Sequence, residues 1–359
     1  MGLQNQKINK AGRLTGWLAK ITTYGLLVPI SLVTACTDRS DEAAQFFLRG
    51  NVQLQKREYR EAVRFYTEAL EKKPDFADAY NNRGLAKFRN DDVEGALADY
   101  SRAIDTDPDF GAAYLNRAEA RLDLGDAGGS LTDLQRIEKQ YADSTFYQLR
   151  LGDTHTRLNE PARAQLAYDR AIQLDPNNVE ALTNRAALFF SQKAYELARQ
   201  DIANALRLNP KQDAALNNQS LLLAQAGKFA DALTYVDRAL SVKPTQPYYL
   251  NNKAYLLLML NRPAEALPLV EQSIRLNDRN AWAYRTLGLY YLKQKQTEPA
   301  LTNLRKAEQL DPSVDALYYY IGKAEAEAGR QEAACAAWAR GVTAGDQLAK
   351  AEQQKQCGK

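Results

Sequence analysis

Six prolines in this chain, Pro74, Pro108, Pro176, Pro210, Pro244 and Pro312, stand 34 residues apart or at a multiple of 34. Proline lacks the backbone N–H that a helix interior needs, and it turns the residue before it away from helical geometry. A chain stopped at so regular an interval folds as a row of equal units rather than around one enclosed core. Boundaries set by these prolines give nine units, starting at 43, 77, 111, 145, 179, 213, 247, 281 and 315, and covering 43–348 without insertion.

Within each unit the residue sizes repeat. Position 8 is small throughout: Gly50, Gly84, Ala118, Gly152, Ala186, Ser220, Ala254, Gly288 and Gly322. Position 20 is alanine in every unit except the third, which has Ser130. Position 24 is large: Tyr66, Tyr100, Leu134, Tyr168, Ile202, Val236, Val270, Leu304 and Trp338. Small residues mark where two antiparallel helices cross closely, and the large one fills the space towards the next pair. Each unit is then a helix–turn–helix that buries its apolar face only against its neighbours. Three units lack the proline, with Ala142, Asp278 and Asp346 in its place. Gly125, Gly128 and Gly129 lower helix propensity by about 1 kcal/mol each relative to alanine, so a loosened joint is expected near 125–145.

This period and these residues resemble the tetratricopeptide repeat. The resemblance implies an all-α fold, a right-handed α-solenoid of about nine helix–turn–helix repeats. After the ninth unit, residues 346–357 read as one more helix that caps the array, with Asp346 as its N-cap. Cys335 lies about ten residues before the turn at Gly345 and Cys357 twelve after it. A rise of about 1.5 Å per residue brings both sulfurs to similar heights on antiparallel helices. A Cys335–Cys357 disulfide is expected, with two unpaired thiols as the alternative. The arrangement of Cys335, Trp338, Gly345, Ala349 and Cys357 also resembles the C-terminal ends of some secreted bacterial repeat proteins.

The N-terminus has another character. Residues 1–35 carry Lys7, Lys10, Arg13 and Lys20 and no acid, so of the net charge of +3 the rest of the chain holds −1. The nearly neutral body gives no electrostatic case for nucleic acid, and none is expected as a partner. Ile21 to Ala35 are mostly apolar, but a bilayer span takes roughly 20 apolar residues. The pattern suits the h-region of a secretory signal peptide, residues 1–35, followed by an acidic, polar tether at 36–42. Val33-Thr34-Ala35-Cys36 resembles the lipobox of bacterial lipoproteins. That resemblance implies cleavage before Cys36 and lipidation of Cys36, hence a membrane-bound body through a lipid anchor. Ordinary signal cleavage and an uncleaved anchor remain open; N-myristoylation is disfavoured by Gln6. In enteric lipoproteins an aspartate directly after the cysteine favours the inner membrane. Thr37 stands there, which by resemblance implies the outer membrane, on its periplasmic or surface side. With Cys36 lipidated, the other two of three cysteines can pair.

In the repeat family the first helix of each unit lines a concave groove, through positions 2, 5, 6, 9, 12 and 13. Position 6 is asparagine in Asn82, Asn116, Asn184, Asn218 and Asn252, and position 5 adds Asn81, Asn217 and Asn251. An amide can both donate to and accept from a peptide backbone without reading its side chains. The row resembles the asparagine ladder of the O-GlcNAc transferases, whose catalytic domain has no counterpart here. Bonding between neighbouring helices is the alternative use. Units 7 to 9 present Tyr248, Tyr255, Trp282, Arg285, Tyr319 and Lys323, residue types enriched at interface hot spots. A dicarboxylate clamp is rejected: Asn51 and Asn82 fit, but Phe47, Ala112 and Asn116 stand where bases are needed.

The chain has one histidine, His155, expected to pack or to face water, and neither a catalytic triad, an HExxH motif nor a phosphate-cradling glycine loop. No catalytic residue, metal site or cofactor is expected. The sequence therefore points to a lipid-anchored envelope scaffold whose groove binds extended protein segments, in outer-membrane, pilus or cell-wall assembly. A self-assembling structural lipoprotein without a groove ligand is the alternative, and an envelope enzyme a remote one.

Overall fold

The computed structural model describes residues 34–358, with side chains from Arg39 onward. Residues 1–35, the stretch expected to be a signal peptide, lie outside the described residues except for the backbone of the last two. The Cys36 side chain also lies outside them. Among the described residues there are nineteen helices and no strand. The first three pairs are α1 (Thr34–Gln55) with α2 (Tyr59–Lys72), α3 (Ala77–Arg89) with α4 (Val93–Thr106), and α5 (Gly111–Asp123) with α6 (Ala127–Tyr141). The middle pairs are α7 (Thr145–Arg157) with α8 (Pro161–Leu174), α9 (Val179–Ser191) with α10 (Tyr195–Leu208), and α11 (Asp213–Gln225) with α12 (Phe229–Val242). The last are α13 (Pro247–Met259) with α14 (Pro263–Leu276), α15 (Ala281–Lys293) with α16 (Thr297–Leu310), and α17 (Leu317–Glu327) with α18 (Gln331–Thr343), followed by α19 (Gln347–Gln356). Each helix packs on its sequence neighbours, and the fold is an α-solenoid of stacked helix pairs.

The stretch assigned to the tether, 36–42, is part of α1. No glycine or proline interrupts the chain between Thr34 and Gly50, so nothing stops the helix earlier. Glu42 pairs with Lys72 of α2 at 2.5 Å, tying this turn to the first unit. Among the described residues no helix is long and apolar enough to cross a membrane.

Size complementarity sets the spacing inside each pair. A Cβ on Gly50 would lie 2.5 Å from the Tyr66 ring, and one on Gly84 would lie 2.7 Å from the Tyr100 ring. Gly152 meets Tyr168 and Gly322 meets Trp338 in the same way. Wherever position 24 is tyrosine or tryptophan, position 8 is glycine. The alanines of position 20 are fully buried beside these contacts.

The turn within each unit repeats a feature that the residue types hide. Position 15 has positive φ in all nine units, at Arg57, Asp91, Gly125, Asn159, Lys193, Gly227, Asn261, Lys295 and Gly329. Only three of these are glycine, so packing of the two helices enforces the left-handed conformation that a side chain ordinarily resists. The joint expected to be loose is regular: α6 runs through Gly128 and Gly129. Asp126 caps it by accepting from the Gly129 N–H at 2.8 Å, and a Cβ on Gly129 would collide with that carboxylate. His155 is buried, with Nδ1 2.7 Å from Glu160 Oε2 across the turn from α7 to α8.

At the C-terminal end, Asp346 accepts from the Leu348 and Ala349 N–H groups and starts α19. Ala349 is buried against Ala334 and Trp338. Cys335 Sγ and Cys357 Sγ lie 2.00 Å apart, with Cα atoms 5.8 Å apart.

Candidate functional site: the face of the first helices

The first helices stand side by side, so residues 34 apart in sequence form rows across them. The asparagine row is a chain of bonds between helices. Asn82 Nδ2 donates to Asn51 Oδ1 at 3.0 Å, Asn116 Nδ2 to Asn81 Oδ1 at 2.8 Å, and Asn252 Nδ2 to Asn217 Oδ1 at 2.8 Å. Asn184 Nδ2 donates to Asp153 Oδ1 at 2.8 Å, and Asn218 Nδ2 to the Thr183 carbonyl at 3.2 Å. The acceptor follows a rule. Where position 9 is Asn51 or Asp153 it accepts, and it also accepts from a tyrosine hydroxyl at position 24, Tyr66 or Tyr168. Where position 9 is Leu85, Ala187 or Leu221, position 5 accepts instead.

These bonds use the amide donors and fix the side-chain orientations. Asn81 and Asn251 donate to Asn82 and Asn252 on the same helix. The Oδ1 atoms of Asn116, Asn184 and Asn218 accept nothing from the described residues, and the three side chains are half-buried. The row thus offers acceptors held in place by their own amide donors.

Unit 4 breaks the row, and the sequence pattern did not single it out. Its position 6 is Arg150, not asparagine. Arg150 pairs with Asp153 at 2.6 Å, Glu180 at 2.9 Å and Glu119 at 3.5 Å, joining α5, α7 and α9. Three carboxylates surround one guanidinium. Burial raises the pKa of both Glu119 and Asp153, opposed by the Arg150 charge. Beside them lies a cavity of about 420 Å³, lined in part by Asp123, Arg157, Tyr168, Asn184 and Ala187. Arginine in an asparagine row was the available signal.

The aromatic and basic residues of units 7 to 9 divide into two kinds. Tyr248 is 48% exposed and Trp282 36%, and Lys323 is exposed. Arg285 is buried, with its guanidinium 5.0 Å from the Tyr255 ring centre and 5.2 Å from the Trp282 ring. Tyr319 is half-buried, sits edge-on to Tyr320 at 5.0 Å, and has its pKa raised by burial. Tyr255 and Tyr319 both pack against the apolar core of units 7 to 9.

A second set of paired residues, also absent from the sequence reading, locks the helix pairs. Arg83, Arg117 and Arg185, at position 7, each fork onto the aspartate at position 23 of the same unit. The bonds to Asp99 are 2.8 and 2.6 Å, those to Asp133 2.9 and 2.7 Å, and those to Asp201 2.8 and 2.8 Å. The same arginines reach back to Thr67, Ser101 and Asp169 of the preceding unit. Among the described residues, no group of three or more His, Cys, Asp or Glu side chains is placed to hold a metal ion.

The family model of the tetratricopeptide repeat matches residues 47–109, 84–145, 149–213, 217–281 and 285–349. No curated protein matches the chain. Among solved structures, the chain is similar to the APC/C hetero-tetramer Cut9–Hcn1, with 15% identity, a TM-score of 0.62, and coverage of 87% of this chain and 76% of that one. It is similar to a tetratricopeptide repeat protein from Parabacteroides merdae, with 19% identity, a TM-score of 0.52, and coverage of 69% and 98%. It is also similar to human IFIT1, solved as a dimer with m7Gppp-AAAA, at 16% identity, a TM-score of 0.54, and coverage of 78% and 71%. At such identities the likeness is one of fold.

Proposed function

We propose, from the premise that the chain belongs to the tetratricopeptide repeat family, that it is a protein-binding scaffold whose first-helix face takes extended protein segments. One observation carries this: Asn116, Asn184 and Asn218 each hold a free acceptor oxygen, fixed by an interhelix bond, along one row. A peptide N–H meets such an oxygen with little ordering left to do, which favours binding without side-chain selection. The face reads as a place to hold a chain, not to transform it, and the protein is not an enzyme and needs no cofactor.

Cys36 carries the lipid, and the scaffold stands on the outer membrane of a bacterial envelope, periplasmic or at the surface. The lipobox-like Val33-Thr34-Ala35-Cys36 supports this. Durable anchoring takes two or more acyl chains. An oxidising compartment agrees with a Cys335–Cys357 disulfide, for which the sulfur positions are suited. Its presence would appear as a mass gain on reduction and alkylation.

The test of the groove replaces Asn218, Asn252 and Tyr255 together with alanine and measures capture of envelope proteins. Loss of a captured protein with unchanged helicity is the expected result; unchanged capture would remove the groove from the account. The test of the anchor is acyl-chain labelling of the intact protein and of Cys36→Ser. Label lost in the variant is expected, and no label in either rejects lipidation.

A further inference from the structure

Arg285 is a buried cation without an anion. It is 6% exposed, and among the described residues it makes no ion pair. Its one hydrogen bond there runs from Nη1 to the Asp315 carbonyl at 2.8 Å, and its Nε is buried without a partner. The other buried or half-buried arginines of the first helices, Arg83, Arg117, Arg121, Arg150 and Arg185, all hold carboxylates. The rings of Tyr255 and Trp282 offset part of the desolvation of Arg285, but a cation–π contact is worth less than a forked carboxylate.

One unit earlier in the same row, a complementary atom is unmet. Asn251 is 2% exposed, and its Oδ1 accepts no hydrogen bond. The cause is local. Asn252 serves Asn217 in this row, but the next unit has Thr286 where the donating asparagine would stand. Position 5 of α13 therefore lacks a donor and position 5 of α15 lacks an acceptor. Trp282 flanks the place, its ring 5.2 Å from the Arg285 guanidinium. The backbone beside it is strained as well. Arg285 holds the Asp315 carbonyl, and Ala316 is the one non-glycine outside turn position 15 with positive φ among the described residues. Such strain persists where the surroundings over-determine it.

We infer that Arg285 receives a carboxylate of the bound segment. This rests on the groove reading above and adds the chemistry of one end of it. The carboxylate is a glutamate or aspartate side chain or a chain's C-terminus; both present the same forked acceptor.

The test uses three N-acetylated nonapeptides of alanine and serine, titrated by calorimetry into the full chain. The first has a free C-terminal carboxylate, the second a C-terminal amide, and the third a C-terminal amide with one central glutamate. At least one carboxylate peptide should bind tenfold or more tightly than the second, and the arm that does so names the source. Arg285→Met should abolish this preference while keeping the fold. Arg285→Lys, which retains the charge but not the fork, should weaken it severalfold and serves alone if the Met variant does not fold. Equal binding of all three peptides, or a preference unchanged in the folded variants, overturns the carboxylate site and leaves the groove reading standing. No binding of any peptide also overturns it; the groove is then judged separately, by the capture assay on the Asn218, Asn252 and Tyr255 variant.

Discussion

Units 1 to 5 and units 7 to 9 share one backbone plan and are held together by different means. In the first region, the buried clusters are small and separate: Ala62, Tyr66 and Ala86 form one, and Ala96, Tyr100 and Ala120 another. Between them run the forked pairs of Arg83, Arg117 and Arg185 with buried aspartates. In the second region, one cluster runs from Ala254 to Ala337 and takes in Leu257, Leu258, Leu289, Leu292, Leu301, Leu304, Leu317 and Ile321. The difference teaches that the 34-residue frame fixes where helices cross, not what glues them. Charge-bonded units tolerate little loss, because removing one partner strands the other in a poorly solvated place. Apolar units lose stability in proportion to what is removed.

The sharpest way to break this comparison is Asp133→Ala. It leaves Arg117 and Arg121 without their shared carboxylate and should cost about 3–5 kcal/mol. Replacing Arg117, Arg121 and Asp133 together with leucine should return to within about 1 kcal/mol of the parent, since no charge of the trio is then stranded. Denaturant unfolding of both variants checks this, and equal losses would refute the contrast. In the apolar region, Leu304→Ala should cost about 2–4 kcal/mol, read as faster hydrogen exchange across α15–α17. Gly84→Ala should cost about 1–3 kcal/mol despite alanine's better helix propensity, because the Tyr100 ring it meets is itself buried.

The smallest effect is expected at Glu119. Its pKa is raised by burial, so its contribution to stability is present below the ordinary carboxylate range and is lost as the pH rises through the raised value. Glu119→Gln should therefore be neutral or stabilising at neutral pH, and its advantage should fade on acidification. Melting curves across that range decide the matter; a destabilised variant at neutral pH would mean that the Arg150 pairing outweighs burial.

How much of this was visible beforehand depends on the scale. The prolines and the small and large residues at positions 8, 20 and 24 are local and recurrent, so the repeat frame and its helix pairs were legible. The left-handed position 15 was not, because Arg57, Asp91 and Lys193 carry no sign of it; the helix pair imposes it. The forks were missed because position 7 and position 23 look like ordinary surface charges when read singly. Their joint occurrence in units 2, 3 and 5 was the signal to follow. At the face itself the asparagine row was legible, but its partners were not. Whether an amide bonds a ligand or the next helix depends on position 9 of the preceding unit, a relation across helices rather than along one. Arg150 and Arg285 interrupt the same rows, and only the packed structure reveals that one pairs with three carboxylates and the other with none.

The most direct measurement of the central claim places a photo-cross-linking side chain at one exposed residue of each face in the intact cell. Ala187 lies on the first-helix face beside the cavity, and Leu166, 70% exposed, lies on a second helix. Adducts to other proteins from position 187 and none from position 166 are the predicted result. Adducts from 166 with none from 187 would contradict the account, and would move the binding surface to the second helices.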